Sequence, residues 1–274
     1  LAFNLNMQVC QRSAAKLLLI FFCFGLASCA SMPPDSDPYA QAEFQRLNDP
    51  LEPTNRVIHG MNQRVDKILI EPIAVTYGFI VPKPLRKIVT NVLRNAAEPL
   101  TFVNDVLQGE PERAGNTLTR FLTNSTLGAG GSIDVATDMG LERHVEDFGQ
   151  TLAVWGVGEG PYLVLPFLGP STMRDGIGRI GEVYADPAAL AIDRANVKGL
   201  SIARMCLTAI DARHRNLDTL RELEESSIDL YATMRSAYRQ NRRAEVRNGA
   251  PLEEEDDFDI FDDFDDLEDE PAPD

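Results

Sequence analysis

Four prolines divide the body of this chain into lengths that suit helices. Pro53, Pro72, Pro84 and Pro99 each stand where a helix can begin, because proline at the first helical position gives up a donor that would be unpaired anyway. After Pro84, the residues Leu85, Ile88, Val89, Val92 and Leu93 recur at spacings of three and four and make one apolar helical face. Glu112 to Asn124 repeats the pattern with Leu118, Phe121 and Leu122. Val197 to Ile210, Leu217 to Ser226 and Ile228 to Asn248 read as three further helices. No convincing alternating strand and no internal repeat of fixed period stands out, so the expected fold class is all-α.

Two segments depart from this pattern. Thr126 to Ile133 is a glycine hinge between apolar arms, with Gly128, Gly130 and Gly131 as the candidate gate. Leu152 to Pro170 is almost wholly apolar, with Glu159 as its single charge and seven glycines and prolines breaking it. It is either buried under the helices or laid against acyl chains. In the second case Leu163, Val164, Leu165, Phe167 and Leu168 are the membrane-contacting residues.

The N-terminal segment bears on that choice. Arg12 and Lys16 precede an uncharged stretch from Leu17 to Leu26, which has the form of a secretory signal and is too short to span a bilayer. It ends in Leu26-Ala27-Ser28-Cys29, which resembles the lipobox of bacterial lipoproteins. The resemblance implies cleavage before Cys29, a diacylglycerol on its thiol and a third acyl chain on the new amino terminus. Each buried methylene contributes about 0.8 kcal/mol, so three chains hold far more firmly than one. Ala30, rather than Asp, follows the cysteine, which by the rule for such lipoproteins favours the outer membrane. Met7 reads as the start and Leu1 to Asn6 as upstream translation.

The net charge of -16 hides a division. Residues 251–274 carry 14 acidic side chains and no basic one, whereas residues 29–250 carry 28 acidic and 24 basic. Phe258, Ile260, Phe261, Phe264 and Leu267 alternate with the acidic groups of this tail, a composition that cannot build a core and is expected to stay disordered unless a partner orders it. The body is long enough for one domain with a respectable core. Cys10 and Cys23 leave with the signal and Cys29 is modified, so Cys206 remains alone and reads as a packed thiol.

Signals for catalysis are poor. Gly176-Ile177-Gly178-Arg179-Ile180-Gly181 matches the dinucleotide fingerprint, but Pro170 to Asp175 before it does not read as a buried strand, and the glycines suit close helix packing better. His59, His144 and His214 are far apart, with no cysteine or carboxylate at metal-ligand spacing, so neither a metal nor another cofactor is expected. His144 and Asp147 stand three residues apart, where capping or a surface role is the simpler account. No nucleophile has an evident base. Arg235, Arg239, Arg242, Arg243 and Arg247 give the last helix a basic face, either a solvated helix end or a contact for anionic head groups or the acidic tail.

From Asn48-Asp49-Pro50-Leu51-Glu52-Pro53-Thr54-Asn55-Arg56 onward the chain resembles the MlaA lipoproteins, also called VacJ. The likeness continues through Glu98 to Gly109, Arg120 to Gly131, Asp147 to Leu152 and Gly156 to Pro166, in that order. The departures are Thr54, where the family usually has an aromatic or other residue, and the long acidic tail. The resemblance implies a ring-shaped helical protein in the inner leaflet of the outer membrane, with a polar passage near which Asp49, Pro50, Glu52, Asn55 and Asn104 lie. It implies removal of misplaced phospholipids from the outer leaflet and their transfer to a soluble periplasmic carrier, in association with a trimeric porin and without nucleic acid. A lipoprotein that only scaffolds the envelope is the rival.

The expected layout is a signal at 1–28, a spacer at 29–47, a helical domain at 48–249 and an acidic disordered tail at 250–274. No run of some 18 uncharged apolar residues follows the signal, so embedding in one leaflet is expected.

Overall fold

The computed structural model describes residues 49–250 except 198. Cys29, the spacer, Asn48 and the tail from Pro251 lie outside the described residues, and with them the expectations placed there.

Helix α1 (Glu52–Val65) runs through a single π-helical turn (Asp66–Ile70) into α2 (Glu71–Ile80), and α3 (Lys83–Gln108) follows after a break at Val81 and Pro82. Pro53, Pro72 and Pro84 each lie in the first turn of their helices. Pro99 does not start one. It sits inside α3, where its missing N–H costs about 3 kcal/mol, and contacts with helices on both sides of it carry α3 through without a break. Gly109, at φ 79°, ends α3, and α4 (Pro111–Thr126) folds back along it.

The short α5 (Val135–Asp138) and α6 (Phe148–Val154) are capped by Asp134 and Asp147, whose carboxylates accept from the backbone N–H groups of Thr137 and Gln150. A hairpin follows, β1 (Tyr162–Leu165) antiparallel to β2 (Gly169–Thr172), with Tyr162 opposite Thr172. The chain ends in α7 (Met173–Ala185), α8 (Pro187–Arg194), α9 (Leu200–Arg215), α10 (Leu217–Ser226) and α11 (Leu230–Val246). The hairpin corrects the expectation of no strands, within a fold that is otherwise helical. Its signal was hidden because both strands are short and β1 is apolar throughout, without alternation.

Packing contacts close into a circuit: α2 meets α9, α9 meets α3, α3 meets α6, α6 meets α11, α11 meets β2, and β1 returns to α1. The expected ring of helices is therefore present. No described helix is long and apolar enough to cross a membrane.

The distribution of side chains around this ring is inverted. Among the described residues only eight hydrophobic side chains are buried, three of them alanines, against 21 polar or charged ones. The periodic faces are real, but they point outward: Leu85, Ile88 and Val92 of α3 and Leu118 and Leu122 of α4 are exposed, while Asn91, Asn95, Glu98, Thr101 and Asp105 of α3 and Thr117, Arg120 and Asn124 of α4 are buried. On α2 the exposure is extreme, reaching 90% at Phe79.

Candidate functional site: a polar interior within an apolar exterior

A buried charge is stable only when paired and hydrogen-bonded, so the interior is a set of neutralised clusters. One joins α1, the hairpin and α11. Asp49 accepts from Asn55 Nδ2 (2.8 Å), from Arg235 Nη1 (2.6 Å) and from the Tyr231 hydroxyl, and Arg235 also reaches Glu52 (3.2 Å). Burial and the adjacent Asp49 carboxylate push the Tyr231 hydroxyl pKa up.

On the other side of Asn55, its amide closes the free edge of β1, donating to the Tyr162 carbonyl (3.1 Å) and accepting from the Val164 N–H (2.9 Å). Two helical turns later Asn62 donates to the Leu165 carbonyl (2.9 Å) and accepts from the Phe167 N–H (2.8 Å). Two asparagines at i and i+7 thus imitate a neighbouring strand, covering a row of groups that would otherwise be open.

A second cluster joins α6, α7 and α11. Arg242 forks onto Asp147 (2.6 and 2.7 Å) and Asp175 (2.9 Å), and the Tyr238 hydroxyl donates to Asp175 (2.5 Å). Burial pushes the Asp175 carboxyl up, but the hydrogen bonds from Arg242 and Tyr238 outweigh it and hold its pKa at about 2. The expected basic face of α11 is corrected accordingly: Arg235, Arg239 and Arg242 neutralise carboxylates of this same chain rather than forming a solvated end.

Glycine allows α6 and α7 to approach this closely. A Cβ at Gly178 would stand 2.5 Å from the Gly149 nitrogen, and one at Gly181 would lie 3.2 Å from the Phe148 ring. The fingerprint glycines serve helix packing, as expected. Ser171 and Thr172 before them do form a buried strand end, contrary to expectation, but one paired antiparallel in a hairpin, unlike the parallel strand of a dinucleotide site.

A third cluster was not legible in sequence. His144 Nε2 lies 2.9 Å from Asp105 Oδ1, not beside Asp147, and Asp105, His144 and Glu146 bring ligand atoms within 4.8 Å of one another. This corrects the statement that no histidine has carboxylates at ligand spacing. The donor set suits a metal poorly, because Arg113 already pairs with Glu146, Gln108 donates to it (3.0 Å), and the Thr117 hydroxyl donates to Asp105 (2.6 Å). Nor is it a catalytic triad: the same Nε2 faces both Asp105 and Thr117 Oγ1 (3.2 Å), whereas a relay needs the two ring nitrogens on different partners.

The residues proposed from sequence do not converge. Asp49, Glu52 and Asn55 share the first cluster with Pro50 beside them, while Asn104 lies on α3, accepting from the Thr151 hydroxyl of α6 (2.8 Å). Val164 is 3% exposed in the core cluster against which Ile58 of α1 packs, and Leu163 is buried as well, so both are withdrawn from acyl chains; Leu165 is half-buried. Phe167 and Leu168, at the hairpin tip, are exposed. Gly128, Gly130 and Gly131 form a hydrogen-bonded turn in which Gly131 N–H donates to the Asn124 carbonyl (2.8 Å) and Ile133 N–H to the Gly128 carbonyl (3.0 Å). Cys206, expected to be packed, is exposed.

A helical ring with a charged, hydrogen-bonded interior and a hydrophobic outer belt defines a class of protein built to sit among lipid chains rather than in water. The profile of the MlaA lipoproteins matches residues 47–245, and the chain belongs to that family. It is similar to the intermembrane phospholipid transport system lipoprotein MlaA of Escherichia coli (strain K12), 36% identical over 231 residues that cover 83% of this chain and 86% of that protein. The lipoprotein of the same name from Haemophilus influenzae is 33% identical over 216 residues, 77% of this chain and 84% of the relative. A solved structure from work on the structural basis for maintenance of bacterial outer membrane lipid asymmetry matches with a TM-score of 0.64 at 34% identity, covering 72% of this chain and 98% of that one.

Proposed function

We propose that this chain is an outer-membrane lipoprotein that moves phospholipid and so keeps the two leaflets different. Acyl chains on Cys29 anchor it in the periplasmic leaflet, and the ring lies within that leaflet. Phospholipids misplaced in the outer leaflet pass along the polar interior to a soluble periplasmic carrier, beside a trimeric porin.

The observation that carries this reading is the inversion of polarity. A phospholipid crossing water exposes tens of methylenes at about 0.8 kcal/mol each, and one flipping unaided drags its charged head group through hydrocarbon. A polar interior held among acyl chains by exposed side chains such as Ile68, Leu69, Phe79, Ile80, Phe167 and Leu168 relieves both costs. The hydrogen-bonded turn at Gly128 to Gly131 is the part we assign to gating. The protein acts as a conduit and makes no covalent change in the lipid.

The test is deletion of the gene, measurement of outer-leaflet phospholipid, and restoration with the wild-type chain or Cys29→Ala. Accumulation that only the wild type clears is the expected result. An unchanged surface, together with no phospholipid bound to the purified protein, would leave the envelope-scaffold reading in its place.

A further inference from the structure

The buried face of α3 carries one cluster that the fold leaves incomplete. Glu98, 3% exposed, is approached by two guanidinium groups, with Arg120 Nε 3.5 Å and Arg143 Nε 3.6 Å from the same oxygen, Oε1. Neither contact is a hydrogen bond, and both Nε atoms are buried without a partner. Arg120 is 1% exposed, and its other nitrogens are committed to Thr137, the Leu141 carbonyl and Asp134, so Nε is its one remaining donor. Arg94, one helical turn before Glu98 on α3, forms no hydrogen bond or ion pair with any described residue, and its charge repels Arg143.

Arg120 and Arg143 meet two carboxylates, Glu98 and Asp134, so the charge of Arg94, a helical turn away and acting on Arg143, is the positive charge in excess. Burial disfavours both charged forms here: it pushes the Glu98 carboxyl up, only partly offset by Arg143 and Arg120, and pulls the Arg143 guanidinium down. A buried donor without an acceptor costs free energy, and one anion would satisfy both Nε donors while balancing the part-exposed charge of Arg94. A phosphodiester fits: it carries a single negative charge and two free oxygens, and guanidinium groups are the side chains best shaped to hold them.

We propose that Arg94, Arg120 and Arg143, grouped around Glu98, form a receptor for one phosphodiester, the head-group phosphate of a glycerophospholipid inside the ring. Glu98 keeps the arginines from repelling one another and yields its place to the phosphate. This assignment rests on the lipid-transport reading and names the point at which that passage would grip its cargo.

The experiment uses the full acylated protein in detergent micelles and titrates it with dihexanoyl phosphatidylglycerol below its critical micelle concentration, followed by calorimetry and phosphorus NMR. Arg94→Gln and Arg143→Gln are the variants, since both positions are part-exposed, with Arg243→Gln on the solvent side of α11 as the control. Circular dichroism melting checks that each is folded. Each site variant is expected to bind about tenfold more weakly, the loss of roughly one charge-assisted hydrogen bond, with the control unchanged.

Dihexanoylglycerol, which lacks the phosphate, is expected to bind wild type and variants alike, and inorganic phosphate to compete only weakly with the lipid. Equal lipid affinity in folded variants would overturn the receptor while leaving transport intact. Inorganic phosphate that binds as tightly as the lipid and resists displacement would overturn the lipid assignment. A wild-type protein that binds no phospholipid at all would remove the transport reading itself.

Discussion

Replacing Asn55 by leucine is the sharpest test of how the hairpin is held. Leucine keeps the branched outline and the number of side-chain heavy atoms, though it is bulkier, and abolishes three hydrogen bonds, those with Asp49, the Tyr162 carbonyl and the Val164 N–H. Asp49 retains Tyr231 and Arg235, but the two backbone groups lose their partner at a site where Asn55 is 2% exposed, so water cannot substitute. Each orphaned group costs about 1–3 kcal/mol, and the apolar gain of a buried leucine offsets part of the sum, leaving a net loss of about 2–4 kcal/mol. Against a total stability of about 5–15 kcal/mol that is a large fraction.

Asn62→Leu is the natural comparison. It breaks an equivalent pair of hydrogen bonds, but the Phe167 end is exposed, so solvent can satisfy the freed groups and the loss is expected below about 1.5 kcal/mol. Urea unfolding in detergent, followed by far-ultraviolet circular dichroism, measures both. If Asn55→Leu is no more destabilising than Asn62→Leu, the asparagine ladder is not what fastens β1 to α1.

Other outcomes follow from the same geometry. Because the folded pKa of Asp175 is depressed to about 2, its contribution is fully present above the ordinary value of 3.8 and is lost as pH falls from about 4 towards 2; thermal melts across that range should show a loss of roughly 2 kcal/mol that Arg242→Met largely removes. A melting curve as stable at pH 2 as at pH 5 would contradict this. Phe79→Asp, on the outer face of α2, should reduce vesicle partitioning of the unacylated Cys29→Ala chain at least tenfold, since exposing one phenylalanine forfeits about 1.5–3 kcal/mol, whereas Arg243→Asp should not. Gly131→Ala should destabilise more than Gly130→Ala: both have positive φ, but only at Gly131 would the new Cβ stand 2.6 Å from Asn95. Lipid clearance by the double variant, at normal protein level, tests the gate; unchanged clearance would argue for a fixed turn.

Local signals in the sequence carried the helices well. Leu217 to Ser226 coincides with α10, and three of the four prolines stand in first turns. What periodicity cannot reveal is which side of an amphipathic face is the inside. Leu85, Ile88 and Val92 mark one stripe of α3 whether it meets a core or a bilayer, and the ring puts the opposite stripe within. The clusters were equally hidden, since Asp105 and His144 are 39 residues apart and Asn55 and Val164 are 109 apart. The basic character of α11 was plain, but its distant carboxylate partners, Asp49 with Glu52, Asp147, Glu159 and Asp175, come from four segments that only the fold brings together.

The inverted side-chain distribution also changes which substitutions such a chain can accept over generations. In a water-soluble enzyme the surface drifts freely among polar letters while the centre keeps its oils. Here the rim should wander among valine, leucine, isoleucine and phenylalanine, while the asparagines, arginines and aspartates at the centre stay fixed, each bound to its partner by directional bonds that no near-isostere reproduces.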